Sequence, residues 1–177
     1  NEINAYFLEN IINLSKKKEQ EEKIIQDLIL EFLAKIEKDQ PQLKDHNYEI
    51  KDNVPLYLMY QLILDEHPEV DISITRFEEI INKLSKEGYI PGIKTIKQNG
   101  DIFKIVQMKP YELSDDEITL IFNAYKLQKF NLDEIVSQVN WSIERVKQIL
   151  RNLTDLGILN HSKSPLYGDQ WYLVSEA

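Results

Sequence analysis

The groups in this chain best suited to chemistry are scattered. Its three histidines, His46, His67 and His161, lie far apart, each in a polar turn or strand-end context, and none has the companion spacing of a metal-ligand pair. The adjacent acids Glu78-Glu79 and Asp115-Asp116 would diverge on a helix, so capping and solvation account for them better than a shared proton does. Gly88, Gly92, Gly100, Gly157 and Gly168 are isolated at turn positions and build no phosphate-binding loop. With no cysteine the chain has no thiol nucleophile, disulfide or zinc-thiolate site, which suits a reducing compartment. No catalytic residue, metal or cofactor is expected. What remains is recognition by large side chains: Tyr167, Trp171 and Tyr172 close to the end of the chain, and Ile3, Phe7, Ile11 and Leu14 close to its start.

These residues are carried by a duplicated unit. The eighteen-residue stretch SITRFEEIINKLSKEGYI (Ser73–Ile90) returns 69 positions later as SIERVKQILRNLTDLGIL (Ser142–Leu159), identical at six positions: Ser73/Ser142, Ile74/Ile143, Arg76/Arg145, Ile80/Ile149, Leu84/Leu153 and Gly88/Gly157. GDIFKIV (Gly100–Val106) and GDQWYLV (Gly168–Val174) follow after comparable gaps. In each copy a serine caps a helix. Apolar residues then recur on one face: Ile74, Phe77, Ile80, Ile81 and Leu84 in the first copy, and Ile143, Val146, Ile149, Leu150 and Leu153 in the second. A glycine closes each helix, and β-prone runs follow. Tyr89–Ile96 and Ile102–Met108 flank the turn signal Gln98-Asn99-Gly100-Asp101; Ile158–His161 and Trp171–Val174 are the later arms, with a looser Ser162–Gln170 between them. A helix that feeds an antiparallel hairpin is the second half of a winged helix.

The first half is clearest in the second unit. Ser114-Asp115-Asp116-Glu117 is a capping box opening a helix with Ile118, Ile121, Phe122 and Tyr125 in its stripe. An extended link at Phe130 and Asn131 leads to a short helix, Leu132–Val139, and Asn140-Trp141 turns into the Ser142 helix. The first-unit equivalents are a helix over Glu22–Lys38, an extended Tyr48–Ile50, and a helix over Val54–Leu64 with Pro55 in its first turn; Asp65–Asp71 lengthens the following turn. The expected fold is mainly α with small antiparallel β wings: tandem winged-helix domains preceded by an N-terminal helix. The expected division is 1–19 as N-terminal helix and charged link, 20–109 as the first domain, and 110–177 as the second. Met108–Leu113 is short enough to hold the two domains rigidly together.

The amino-terminal stretch is a separate element. Ile3, Phe7, Ile11 and Leu14 line one helical face, Lys16–Glu22 is charged and solvated, and Ile24, Leu28, Phe32 and Ile36 line a further face. A helix folded back on the first domain is the leading expectation; a helix contributed to a partner is the alternative. No apolar run is long enough to span a bilayer, and no secretory leader is expected.

Charge weighs against nucleic acid as the ligand. The net charge is -9, and residues 110–177 carry six basic against ten acidic side chains. The third helices offer no basic surplus of the size that phosphate neutralisation needs: Ser142–Gly157 has three basic and two acidic residues, and Ser73–Gly88 three of each. Lys94, Lys97 and Lys104 make the first wing only mildly positive. Nucleic-acid binding is therefore not expected, although a transcription-associated tandem winged helix is the alternative class. Tyr167, Trp171 and Tyr172 favour a protein partner instead. Neighbours along a strand face opposite ways, so one of the three is expected to be exposed as an anchor.

The stretch LSDDEITLIFNAYKLQKFNLDEIVSQVNWSIERVKQILRNLTDLGIL, followed by DQWYLV, resembles the carboxy-terminal winged helix of the two related core subunits of ESCRT-II, vacuolar protein sorting subunits twenty-two and thirty-six. The matching features are Leu113-Ser114-Asp115, Trp141, the Arg145-to-Leu150 spacing, Leu153, Gly157, and the final strand with Trp171 and Tyr172. ISITRFEEIINKLSKEGY and IFKIVQMKP extend the likeness to the first unit. The resemblance implies a scaffold with no active site and no cofactor. Its partners would be a core subunit and an arm subunit, with ESCRT-III reached indirectly, and its place the cytoplasm, meeting membranes peripherally through the complex. Tyr167, Trp171 and Tyr172 fall where the family docks its arm subunit. The chain departs from the family in showing no lipid- or ubiquitin-binding domain. It also has no proline-aromatic motif near its start of the kind the arm subunits use. The composition, rich in isoleucine, lysine and asparagine, suits an archaeal source with a simplified complex.

Overall fold

In the computed structural model, which describes residues 2–39 and 50–174, the helix α1 runs without a break from Glu2 to Asp39. The charged stretch Lys16–Glu22 does not interrupt it, because Lys, Glu and Gln are good helix formers whose side chains need no packing. The helix does not fold back on the first domain as expected. Residues 2–21 are all exposed, and only from Glu22 onward does the body cover one side, burying Ile25, Ile29, Phe32 and Ile36. At 38 residues α1 is about 57 Å long, and about half of that projects.

The rest of the first unit is β1 (Asn53–Pro55), α2 (Leu56–Glu66), α3 (Ile74–Lys86), β2 (Gly92–Gln98) and β3 (Asp101–Gln107). The expected extended segment lies partly outside the described residues, and Ile50 is buried without joining a strand. The strand is instead Asn53–Pro55, so Val54 and Pro55 end a strand and the helix starts at Leu56. Proline tolerates this place: its fixed φ of -51° suits the residue just before a helix. β3 is the centre of a sheet ordered β1-β3-β2, all antiparallel. Its hairpin turns on Asn99 and Gly100, both at positive φ (51° and 85°), as a two-residue primed turn requires.

The second unit repeats the plan with α4 (Asp115–Leu127), β4 (Lys129–Phe130), α5 (Leu132–Val139), α6 (Ile143–Leu156), β5 (Asn160–Ser164) and β6 (Gly168–Tyr172), in a sheet ordered β4-β6-β5. The looser hairpin expected at Ser162–Gln170 is tighter than that: pairing continues to Ser164 opposite Gly168, leaving Pro165, Leu166 and Tyr167 as the turn. Asn131 belongs to α5 as its cap, in a reciprocal box with Glu134.

The duplicated stretches use their identical residues identically. Ser73 and Ser142 accept the backbone N–H of Arg76 and Arg145 at 3.2 and 3.3 Å. Gly88 and Gly157 both take φ of 89°, and the next residue's N–H returns to Leu84 in one copy and Leu153 in the other, a left-handed helix ending that glycine permits. Phe77, Ile80, Ile81 and Leu84 are buried, as are Val146, Ile149, Leu150 and Leu153. The first stripe residue of each copy is not: Ile74 is half-buried and Ile143 is 50% exposed, because the opening turn of each helix overhangs the core.

Two cores result, and the first wing separates them. Val106 and Ile93 face the core formed by α1, α2 and α3, whereas Ile96, Phe103 and Ile105, on the other face of the same hairpin, pack into the core of α4, α5 and α6. The connection between units is pinned as well. Gln107 Nε2 donates to Asn53 Oδ1 and to the Tyr111 carbonyl, both at 3.1 Å. The Tyr111 hydroxyl donates to the buried Glu117 carboxylate at 3.0 Å, which also accepts the Ser114 N–H at 2.8 Å.

Candidate docking surfaces

Two exposed apolar features stand out, and they lie on opposite units. The first is the free half of α1, where Ile3 is 81% and Phe7 66% exposed, with Ile11 and Leu14 beside them. Tyr6, Leu8 and Ile12, which were not named individually from the sequence, are exposed there too. Their signal was present: they flank the Ile3–Leu14 line on both sides, a breadth of apolar surface greater than one packed face uses. Exposed apolar side chains gathered in this way are the kind of surface that contact sites present.

The second feature is the tip of the second wing, where Leu166 (84%) and Tyr167 (72%) stand in solvent. Of the three carboxy-terminal aromatics, Tyr167 is the exposed one. Trp171 lies half-buried between Phe130 and His161, stacked at centroid distances of 6.5 and 4.7 Å, and Tyr172 is half-buried with Lys129 over its ring at 6.0 Å. Thus the strand aromatics fasten the wing to its own unit while the turn aromatic points away. Leu166 was not singled out from the sequence, since one leucine in a Ser-Pro-Leu-Tyr-Gly run reads only as loop.

A groove of about 640 Å³ opens where α1 leaves the body, between Ile24 and Ile25 of α1 and Val70 and Ile72 of the segment before α3. Its floor is apolar, and Glu21, Glu69 and Asp71 edge it. Beside it Glu22 accepts from Arg76 at 3.0 Å and from Lys83 at 2.9 Å. The hydrogen bond from Lys83 is the main reason the Glu22 carboxyl is held below its usual range, with the charges of Lys83 and Arg76 adding to it against the cost of burial.

The basic side chains of the third helices are mostly committed within the chain. The repeated arginine ties helix three to helix one in each unit: Arg76 bonds Glu22 of α1, and Arg145 makes a two-point bond to Asp116 of α4 at 2.6 and 2.8 Å while lying over the Trp141 ring at 4.1 Å. That bond, more than charge alone, lowers the Asp116 carboxyl below its ordinary value and raises the Arg145 guanidinium. On the wing, Lys104 pairs with Glu78 at 2.7 Å and Lys94 with Glu112 at 3.3 Å. The adjacent acids seen in the sequence therefore act one by one, Glu78 on Lys104, Glu79 on Arg76 and Asp116 on Arg145.

Among the described residues no group of histidine, aspartate and glutamate is arranged to hold a metal, and no helix is long and apolar enough to cross a membrane. His67 faces Glu69 at 3.5 Å, His161 joins the Trp171 stack and contacts Asp169 at 3.1 Å, and His46 lies outside the described residues.

Two such units in series, led by a projecting helix, define a tandem winged-helix protein. No family model matches the chain, and no curated protein matches its sequence. Among solved structures it is similar to a chain of the ESCRT-II endosomal trafficking complex, at a TM-score of 0.56 and 11% identity over 85% of its length. It is likewise similar to a chain of the endosomal complex ESCRT-II (VPS22/VPS25/VPS36), at a TM-score of 0.55 and 12% identity over 85% of its length. The chain spans 64% of the length of each of those chains. At this identity the likeness is one of fold.

Proposed function

We propose that the chain is a non-enzymatic scaffold subunit of an ESCRT-II-like complex, organised as an N-terminal helix over 1–19, a first winged helix over 20–109 and a second over 110–177. The observation that carries this reading is the fold likeness, which extends over 85% of the chain. The arrangement of the surface supports it. The repeated third-helix arginines, Arg76 and Arg145, are engaged with Glu22 and Asp116, while large apolar groups stand exposed on α1 and at the turn of the second wing. In this reading the second wing docks an arm subunit, with Tyr167 as the anchor and Trp171 and Tyr172 holding the wing in shape; the Ile3, Phe7, Ile11 and Leu14 face of α1 serves a further subunit contact. Through its partners the complex would reach ESCRT-III and act peripherally at membranes, from the cytoplasm.

Calorimetry against an arm-type subunit from the same source tests the proposal. An exposed aromatic anchor typically carries about 2 kcal/mol or more of such an interface, so Tyr167→Ala should weaken binding by that amount with the circular dichroism spectrum unchanged. Wild-type protein that shows no affinity for an arm subunit, or a folded Tyr167→Ala variant that binds undiminished, would overturn this assignment.

A further inference from the structure

The body covers one line of α1, through Ile25, Ile29, Phe32 and Ile36, and then stops at Glu22. At roughly 100° per residue, Leu14, Ile11, Phe7 and Ile3 continue that same line along the projecting half. The helix thus carries two apolar runs on one line, separated by Lys18 and Glu21; the lower is covered by the body and the upper is exposed. We infer that the upper half is covered by a second copy of this chain, in an antiparallel helix pair about a two-fold axis near Glu9. This deepens the docking reading of α1 and is independent of the ESCRT-II likeness.

Self-complementarity identifies the occupant. With the axis near Glu9, Ile3 of one copy meets Leu14 of the other and Phe7 meets Ile11, each contact occurring twice, as an isologous interface requires. A parallel pair would instead place Lys18, which falls on the line of the stripe, against Lys18. Size agrees as well. The free stretch is about 30 Å long, and pairing two copies through its exposed isoleucines, leucines, Phe7 and Tyr6 removes on the order of 1,000 Å² of surface, where specific interfaces begin.

Sedimentation equilibrium of the whole chain over a wide concentration range is the test. The expected result is a monomer–dimer equilibrium, weakened at least about tenfold by Phe7→Glu with Ile11→Glu, the usual scale for losing an apolar centre. These residues are exposed in the single chain, so the thermal midpoint at concentrations where the protein is monomeric should stay unchanged. Because the chain has no cysteine, single cysteines report orientation cleanly: Asn10→Cys, near the axis, should cross-link to its counterpart, and Glu21→Cys should not. A monomer at every concentration, a dimer indifferent to Phe7 and Ile11, or cross-linking through Glu21→Cys would each overturn the inference. A dimer that ignores arm-type subunits would leave it standing and remove the scaffold reading.

Discussion

Gly88 and Gly157 form a natural pair of probes, because they share sequence context, helix ending and φ of 89° but differ in surroundings. A β-carbon at Gly88 meets nothing within 4 Å, whereas one at Gly157 would stand 2.8 Å from Lys51 Cβ, 3.1 Å from the Asn53 carbonyl and 3.2 Å from the Lys51 nitrogen. Gly88→Ala therefore costs only the left-handed conformation, about 1–2 kcal/mol. Gly157→Ala costs that and the displacement of the chain leading into β1, which as overpacking adds about 1–3 kcal/mol. For a protein of this size each kcal/mol moves the midpoint by about 2–4 °C. Thermal and urea unfolding of the two variants side by side should show the second falling further by a few degrees to about ten. The excess should shrink in a Lys51→Gly background, which removes the nearest atom, and a double-mutant cycle measures that coupling. Equal losses at the two glycines, or an excess that Lys51→Gly leaves untouched, would refute the close approach of α6 to the first unit.

Other outcomes follow from the same packing. Leu84→Ala and Leu153→Ala, twin residues that are almost wholly buried, should each cost about 2–5 kcal/mol by leaving a cavity, read as a lowered urea midpoint. The depressed carboxyls of Glu22 and Asp116 stabilise the fold above their ordinary values of 4.5 and 3.8 and lose that contribution as pH falls through their lower folded values; the thermal midpoint should therefore drop on acidification below about pH 5, and Asp116→Asn should blunt the drop. Duplex DNA should show no submicromolar binding in a gel shift at physiological salt, and steeply salt-dependent binding would return the chain to the transcription-associated class.

Much of the architecture was legible because it rests on local grammar. Ser114 with Glu117 and the paired Ser and Gly of the repeat announced helix ends, and Asn99-Gly100 announced its hairpin. The first-unit strand was misplaced because Val54 and Pro55 precede an apolar run that reads as helix, and only pairing with Ile105 and Val106 makes Asn53–Pro55 a strand. The path of α1 was misjudged for a related reason. Lys16–Glu22 has the composition of a link, but a charged stretch with high helix propensity continues a helix unless something breaks it, and no glycine or proline does. At the carboxy-terminal aromatics, alternation implied that one would be exposed, but which one depended on Phe130 and His161 closing over Trp171.

The hairpin of β2 and β3 has a consequence for how this molecule can change over generations. Its two faces belong to different cores, with Val106 on one and Phe103 and Ile105 on the other. Whatever ancestor was doubled, its copies no longer lead separate lives: a cut after Gln107 would strip the second core of three of its side chains and wet one side of the first. Such a protein resists having its halves shuffled or lost, and the angle between its two working ends is inherited as one trait. Variation is left to the outer edges, the wing turn at Leu166 and the exposed span of α1, where a changed residue leaves the frame undisturbed.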